Sequence, residues 1–399
     1  MPKGKAQLFG AAVLGRAYQS VATVTLGTLL LMAAFELTAR TWYFFREPKV
    51  PLVLNASYET KDLDAFNADS ARVPRFQWHP YVYWRRPAYD TPTIHVSKEG
   101  IRRTVQPYGP DAKTRIFLFG GSTMWGTGVR DEHTIASLFA QRFAQFGWSD
   151  FHVVNYGESA YVATQSLLTL LLELRAGNIP EIVIFYDGIN EVVSSHLMKR
   201  AGITVHELSI GFYENAPQRV EALPAWKLLA MKSVALKAMQ NLIGKFARRP
   251  TEPLRDPRSD RALPPLKADP EALAEATTRN YSEVTRLAQA LADQYGFQAY
   301  FFWQPSFFSK RHRSAVEQGF VDDCAQKGWC NEMHQLFTRV YEGIRRHPPP
   351  VPHFTDLQAE FEEERANRYI DFFHLAEKGN ARIADRIAHT IAASQNAAR

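Results

Sequence analysis

From residue 115 onward, short apolar runs alternate with longer stretches of helical periodicity, and this alternation limits what the chain can fold into more than any other feature. The runs are 115–119, 151–155, 181–186 and 297–303, and helices are predicted at about 132–147, 163–176, 271–295 and 377–394. Strands separated by helices predict an α/β fold: a parallel sheet covered by helices on both faces. With 399 residues, 46% hydrophobic and 22% charged, the chain has ample core for one large domain or two ordinary ones. The net charge of +6 is slight, and no zinc-finger, RNA-recognition or basic-zipper spacing occurs, which sets nucleic acid aside as a partner.

The first run ends in Gly120-Gly121-Ser122, followed by Thr123-Met124-Trp125-Gly126-Thr127-Gly128. Ligands of open parallel sheets bind just outside the carboxyl ends of the strands, so Ser122 stands where a nucleophile is useful. A plain glycine-rich turn explains the same residues. A phosphate loop does not fit, because no Lys-Ser or Lys-Thr follows the glycines, and G-x-S-x-G is absent.

A serine nucleophile needs a base, a group that orients the base, and donors for the oxyanion. Asp371 and His374, three residues apart before the last helix, suit the second and first roles, although such pairs also occur on ordinary surfaces. Gly157, past the second strand, and Asn190, past the third, suit the donor role with a backbone N–H and a side-chain amide, and Ser122 adds its own N–H. Each is also an ordinary turn residue.

Residues 17–35 form an uncharged stretch of 19, long enough to cross a bilayer, with Lys3, Lys5 and Arg16 before it and Glu36 and Arg40 after it. A cleaved signal peptide and a buried core helix are the rivals. No small-x-small cleavage site follows the run. The expected organisation is a cytoplasmic N-terminus at 1–16, an uncleaved transmembrane signal anchor at 17–36, an extension with short strands at 37–110, and the α/β domain at 111–399. Arg40, Arg46 and Lys49 also flank the far side, yet the expected orientation puts the body in the periplasm or its equivalent, tethered to the cytoplasmic membrane. In the extension, 79–87 and 93–97 read as strands and Lys98-Glu99-Gly100 as a turn. An insertion is expected at 192–270, with an amphipathic helix at 224–249 and a proline-rich linker at 248–265. The helix serves as a lid, as a membrane-surface element or as a cover for the domain's own core. Cys324 and Cys330 are either free thiols or, outside the cytoplasm, a disulfide.

Four blocks in this order, each at a strand exit, resemble the SGNH/GDSL hydrolase superfamily: Gly120-Gly121-Ser122, Gly157, Gly188-Ile189-Asn190-Glu191 and Asp371-Phe372-Phe373-His374. The resemblance covers about 115–394. Two residues depart from it. Gly121 stands where many members have Asp, a GGS form found in membrane-anchored bacterial members, and Glu191 stands where G-x-N-D has Asp. The resemblance implies a three-layer α/β/α sandwich with a flavodoxin-like sheet. It also implies a serine esterase in which Ser122 attacks an ester carbonyl, His374 is general base, Asp371 orients it, and Ser122, Gly157 and Asn190 form the oxyanion hole. Carboxylic (acyl or acetyl) esters, on envelope or secreted polysaccharide, are the expected substrates. The alternatives are an O-acyltransferase using the same triad and a catalytically silent glycan-binding protein. Serine acyl chemistry calls for no metal and no organic cofactor. Trp125, Tyr156, Tyr161, Tyr186, Trp303 and Phe307 lie near strand ends, as sugar platforms or as core, with Trp303-Gln304-Pro305 placed to line the cleft. Arg311, His312 and Arg313 read as contacts for an acidic glycan or as a solvated basic turn.

Overall fold

The computed structural model of the protein describes residues 3–45, 63–74, 76–207, 269–325 and 329–398. The helix expected at 224–249 and the linker expected at 248–265 lie outside these residues. The chain divides into two units, one holding the first helix and the other the sheet.

Helix α1 (Lys3–Phe45) contains an apolar window, Tyr18–Thr38, of 21 residues with mean hydropathy 1.7. Its polar residues satisfy themselves: the hydroxyls of Thr28, Thr38 and Thr41 donate to carbonyls four residues back, at 2.8, 2.8 and 2.9 Å. Val21, Leu30 and Leu31 are exposed, so the window is not a core helix. Its length and composition suit a membrane span or a signal sequence.

After α2 (Leu63–Ala71), the extension forms two small antiparallel pairs, β1 (Gln77–His79) with β2 (Tyr83–Arg85) and β3 (Tyr89–Asp90) with β4 (His95–Val96). The strand expected at 79–87 is therefore broken. Pro80 cannot donate to a ladder, and the chain reverses there with Tyr81 and Tyr83 at φ +70° and +71°. Ser97 to Ile101 form the expected turn, with Gly100 at φ +79°.

The sheet is built from β5 (Thr114–Gly120), β6 (Phe151–Asn155), β7 (Ile182–Asp187), β8 (Gln298–Trp303) and β9 (Phe354–Asp356), all parallel, in the spatial order β6-β5-β7-β8-β9. This is the flavodoxin-like order, whose switch point lies beside β5. Alternation along each strand feeds two cores. Ile116, Leu118, Ile182, Ile184 and Phe302 face α4 (Ile135–Gln145) and α10 (Glu377–Ala398), packing on Phe139, Phe143, Ile387 and Ile391. Phe117, Phe119, Val183, Phe185, Phe301 and Trp303 face α5 (Ala163–Arg175), α6 (Ile189–Met198), α7 (Pro270–Tyr295) and α9 (Trp329–Arg346), packing on Leu170, Val192, Tyr281 and Val340. The three-layer sandwich follows from this alternation.

Three features differ from the sequence expectation. A helix, α6, occupies the first part of the stretch expected as an insertion. Helices α8 (Ala315–Ala325) and α9 follow β8, with Cys324 and Cys330 joined in a disulfide between them. The fifth strand, β9, is three residues long, too short for its alternation to register.

Candidate active site

At the exit of β5 the chain bends sharply. Gly120 adopts φ +155°, and a Cβ there would lie 2.5 Å from the Tyr186 carbonyl oxygen. The single-turn helix α3 (Ser122–Trp125) follows, closed by Gly126 in the left-handed region at φ +92°. Ser122 is thus the first residue of a helix, and its N–H has no intrahelical partner. Asn155, buried at the end of β6, donates from Nδ2 to the Met124 carbonyl at 2.9 Å and holds this turn in place.

The Asp371–His374 segment precedes α10. Asp371 Oδ1 accepts the backbone N–H groups of Phe373 and His374 at 2.7 and 2.8 Å. Its Oδ2 lies 2.7 Å from His374 Nδ1, and His374 Nε2 lies 2.8 Å from Ser122 Oγ. The protein packed around Asp371 raises its proton affinity. The adjacent His374 and the two backbone donors outweigh this, so the carboxyl titrates below its ordinary range. An ionised Asp371 fixes the proton of His374 on Nδ1 and leaves Nε2 free to accept from the serine. Behind this segment, Arg130 grips Glu377 in α10 at 3.0 and 3.2 Å, and Asn380 donates to the His133 carbonyl at 3.1 Å.

The donors are arranged differently from the expectation. Asn190, second residue of α6, donates from Nδ2 to the Tyr161 carbonyl at 2.8 Å, which leaves its other amide proton available. The same nitrogen lies against Gly121, where a Cβ would collide with it. Any side chain at position 121 would therefore displace Asn190 from its observed place. Gly157 is not a free donor, because its N–H is bonded to Asn155 Oδ1 at 3.0 Å. Its missing side chain serves packing, since a Cβ would lie 2.5 Å from the Trp125 backbone nitrogen.

The other N–H groups of residues 156–163 are almost all engaged. Tyr156 donates to Leu118, Glu158 to Gly120 and Tyr161 to Glu158, all at carbonyls. Ser159, Val162 and Ala163 donate to the side chains of Glu158, Gln165 and Glu191. Ala160 alone in this run has no partner among the described residues. It is half-buried and left-handed at φ +59°, a conformation costly for alanine. The extension braces this loop. Tyr161 donates from its hydroxyl to the Trp84 carbonyl at 2.7 Å, and the Arg86 N–H donates to Glu158 Oε2 at 2.9 Å.

Behind Asn190 lies an acidic pair. Glu191 accepts from Gly188 and Ala163 N–H groups at 2.8 and 2.6 Å. Asp187 is buried, with neither oxygen bonded among the described residues. Burial raises the proton affinity of both, and Glu191 raises that of Asp187 further. The two N–H groups on Glu191 offset its burial in part, whereas Asp187 has no such donor among the described residues.

The expected aromatic platforms are core. Trp125, Tyr161, Tyr186, Trp303 and Phe307 are all buried, and half-buried Tyr156 stacks on Phe119. Arg311 pairs with Glu362 and Glu363 at 2.6 and 2.9 Å, His312 lies 3.2 Å from Glu363, and Arg313 lies over the Phe307 ring.

No protein-family model and no curated protein sequence matches the chain. Solved structures similar to it include an acetyl xylan esterase, AlAXEase (12% identity, covering 69% of this chain and 99% of that one, TM-score 0.35). Others are a lipase/acylhydrolase from Enterococcus faecalis (12%, 70% and 96%, TM-score 0.36) and a putative lipolytic G-D-S-L protein from Desulfitobacterium hafniense DCB-2 (8%, 70% and 99%, TM-score 0.34).

Proposed function

We propose that the chain is a serine esterase cleaving carboxylic esters through an acyl-enzyme, and the continuous line from Ser122 Oγ to His374 to Asp371, at 2.8 and 2.7 Å, carries this reading. Ser122 Oγ attacks the ester carbonyl while His374 Nε2 takes its proton. Asp371 orients the imidazole and stabilises its charged form. The oxyanion is received by the Ser122 N–H, the second Asn190 amide proton and the Ala160 N–H, each contributing about 3 kcal/mol. His374 returns the proton to the leaving alcohol, and a water, activated in turn by His374, releases the acid.

The apolar window of α1 supports a tether in the cytoplasmic membrane with the catalytic unit outside, and the disulfide suits that oxidising side. Tethered there, the enzyme meets acyl or acetyl esters of envelope or secreted polysaccharide. Labelling with a fluorophosphonate, followed by turnover of acylated glycans with and without an acceptor glycan, tests the proposal. Labelling at Ser122 with release of free acid supports it. Acylated acceptor in place of free acid makes the protein an O-acyltransferase, and an unlabelled Ser122 revives the catalytically silent glycan-binding reading.

A further inference from the structure

Gln304, the first residue beyond β8, is buried and hydrogen-bonded to both halves of the site. Its Nε2 lies 2.5 Å from Thr123 Oγ1, and its Oε1 lies 3.0 Å from the Ile189 backbone nitrogen. The orientation of the amide is determined by its partners. The Ile189 N–H can only donate, so the Gln304 oxygen faces it, and the Gln304 NH2 group faces the threonine hydroxyl. The Gln304 backbone is itself fixed, its N–H donating to the Asp187 carbonyl at 2.9 Å.

Thr123 follows Ser122, and Ile189 precedes Asn190. Both neighbours lie at the first turn of a helix. Helix α3 has four residues, a single turn that does not hold together by its own hydrogen bonds. Helix α6 begins after Gly188, at φ +141°, and Ile189 is its first residue, so the Ile189 N–H has no acceptor within the helix. One planar carboxamide serves both ends.

We propose that Gln304 is a positioning residue that ties the nucleophile turn to the oxyanion helix and so sets the separation of the Ser122 N–H from the Asn190 amide. The proposal rests on the esterase reading above and adds to it the residue that holds two of the donors in register. Because the oxyanion exists only along the reaction path, a slackened strap lowers kcat and leaves ground-state binding nearly alone.

The test is steady-state hydrolysis of p-nitrophenyl acetate by Gln304→Met, Thr123→Val, Thr123→Ser and the Gln304→Met/Thr123→Val pair. Gln304→Met keeps the length and loses both bonds, Thr123→Val keeps the shape and loses the acceptor, and Thr123→Ser keeps the hydroxyl. The expected result is a kcat loss of about 30- to 100-fold in the first two, with KM moving less than about threefold. Thr123→Ser stays within about twofold of wild type, and the double variant is no worse than Gln304→Met alone. Should Gln304→Met fail to fold, the Thr123→Val and Thr123→Ser pair decides by the same criteria. Unchanged kcat in folded variants, a loss confined to KM, or additive losses in the double variant would overturn the strap while leaving the esterase standing. A wild-type protein that neither turns over esters nor is labelled at Ser122 removes the esterase reading, and the strap with it.

Discussion

The two faces of the sheet hold the site by different means. On the α4/α10 face, hydrocarbon and rings such as Ile116, Phe139, Phe143 and Ile387 pack with no exposure, and the segment that opens α10 delivers His374. On the α5–α7/α9 face, rings share the interior with polar groups. Asp187, the Tyr281 hydroxyl and the Trp303 indole N–H are buried without partners among the described residues, and Glu191 and Gln304 bind backbone there. That face delivers Asn190 and Ala160. The base therefore rests on this packing together with bonds such as Arg130–Glu377 and Asn380–His133, and the proposed oxyanion donors rest mainly on directional bonds. Packing tolerates small shifts; a hydrogen-bond donor aimed at a developing charge does not.

The contrast can be broken at several points. Ser122→Ala belongs to neither face, and it should abolish fluorophosphonate labelling and lower p-nitrophenyl acetate turnover by more than about 10³-fold with the melting temperature unchanged. Phe139→Ala tests the first face, with an expected loss of about 3–5 kcal/mol in urea unfolding while the fraction that stays folded keeps its kcat. Gly121→Asp tests the second. Its Cβ pushes Asn190 aside, so kcat should fall by about 10²- to 10³-fold with less than about 1 kcal/mol of lost stability. A variant that loses stability but not kcat would show that Asn190 is not aimed at the reaction.

Asp187→Asn is the subtler probe. Because the folded protein holds the Asp187 proton more tightly than the unfolded chain does, its contribution is complete below the ordinary carboxyl range and is lost as pH rises through the elevated folded value. The amide stays neutral throughout. The variant should therefore match or trail wild type at about pH 5 and exceed it by about 1 kcal/mol at about pH 9, read by urea unfolding at both. Parallel pH profiles would show that Asp187 is not the protonated partner. Smallest of all, Tyr281→Phe removes a buried hydroxyl that has no partner among the described residues and should shift stability by no more than a few tenths of a kcal/mol, upward if at all.

What the sequence made legible was whatever side-chain type alone reports. The apolar runs revealed four of the five strands. Serine, histidine, aspartate and asparagine are chemically distinctive, so Ser122 and Asn190 could be named at strand exits and Asp371 and His374 ahead of the last helix. Backbone properties carry no such signature. Ala160 has neither a polar group nor a turn residue's habits, and only its φ of +59° and its unused N–H single it out. Gly157 misled in the opposite sense, its glycine serving the close approach to Trp125. Trp303 and Phe307 were expected at the cleft or in the core because the end of a strand does not say on which side of the sheet surface a ring will settle. Gln304 was placed near the cleft, but its two partners lie 181 and 115 residues away, beyond any local pattern.

The sequence separation of 252 between Ser122 and His374 has a consequence for the newborn chain. At ordinary elongation rates of about 5–20 residues per second, the serine is made roughly 10–50 s before its base. During that interval it is an unactivated hydroxyl on a partly paired sheet. The proposed nucleophile is armed only once α10 has docked on α4 and brought His374 to Ser122.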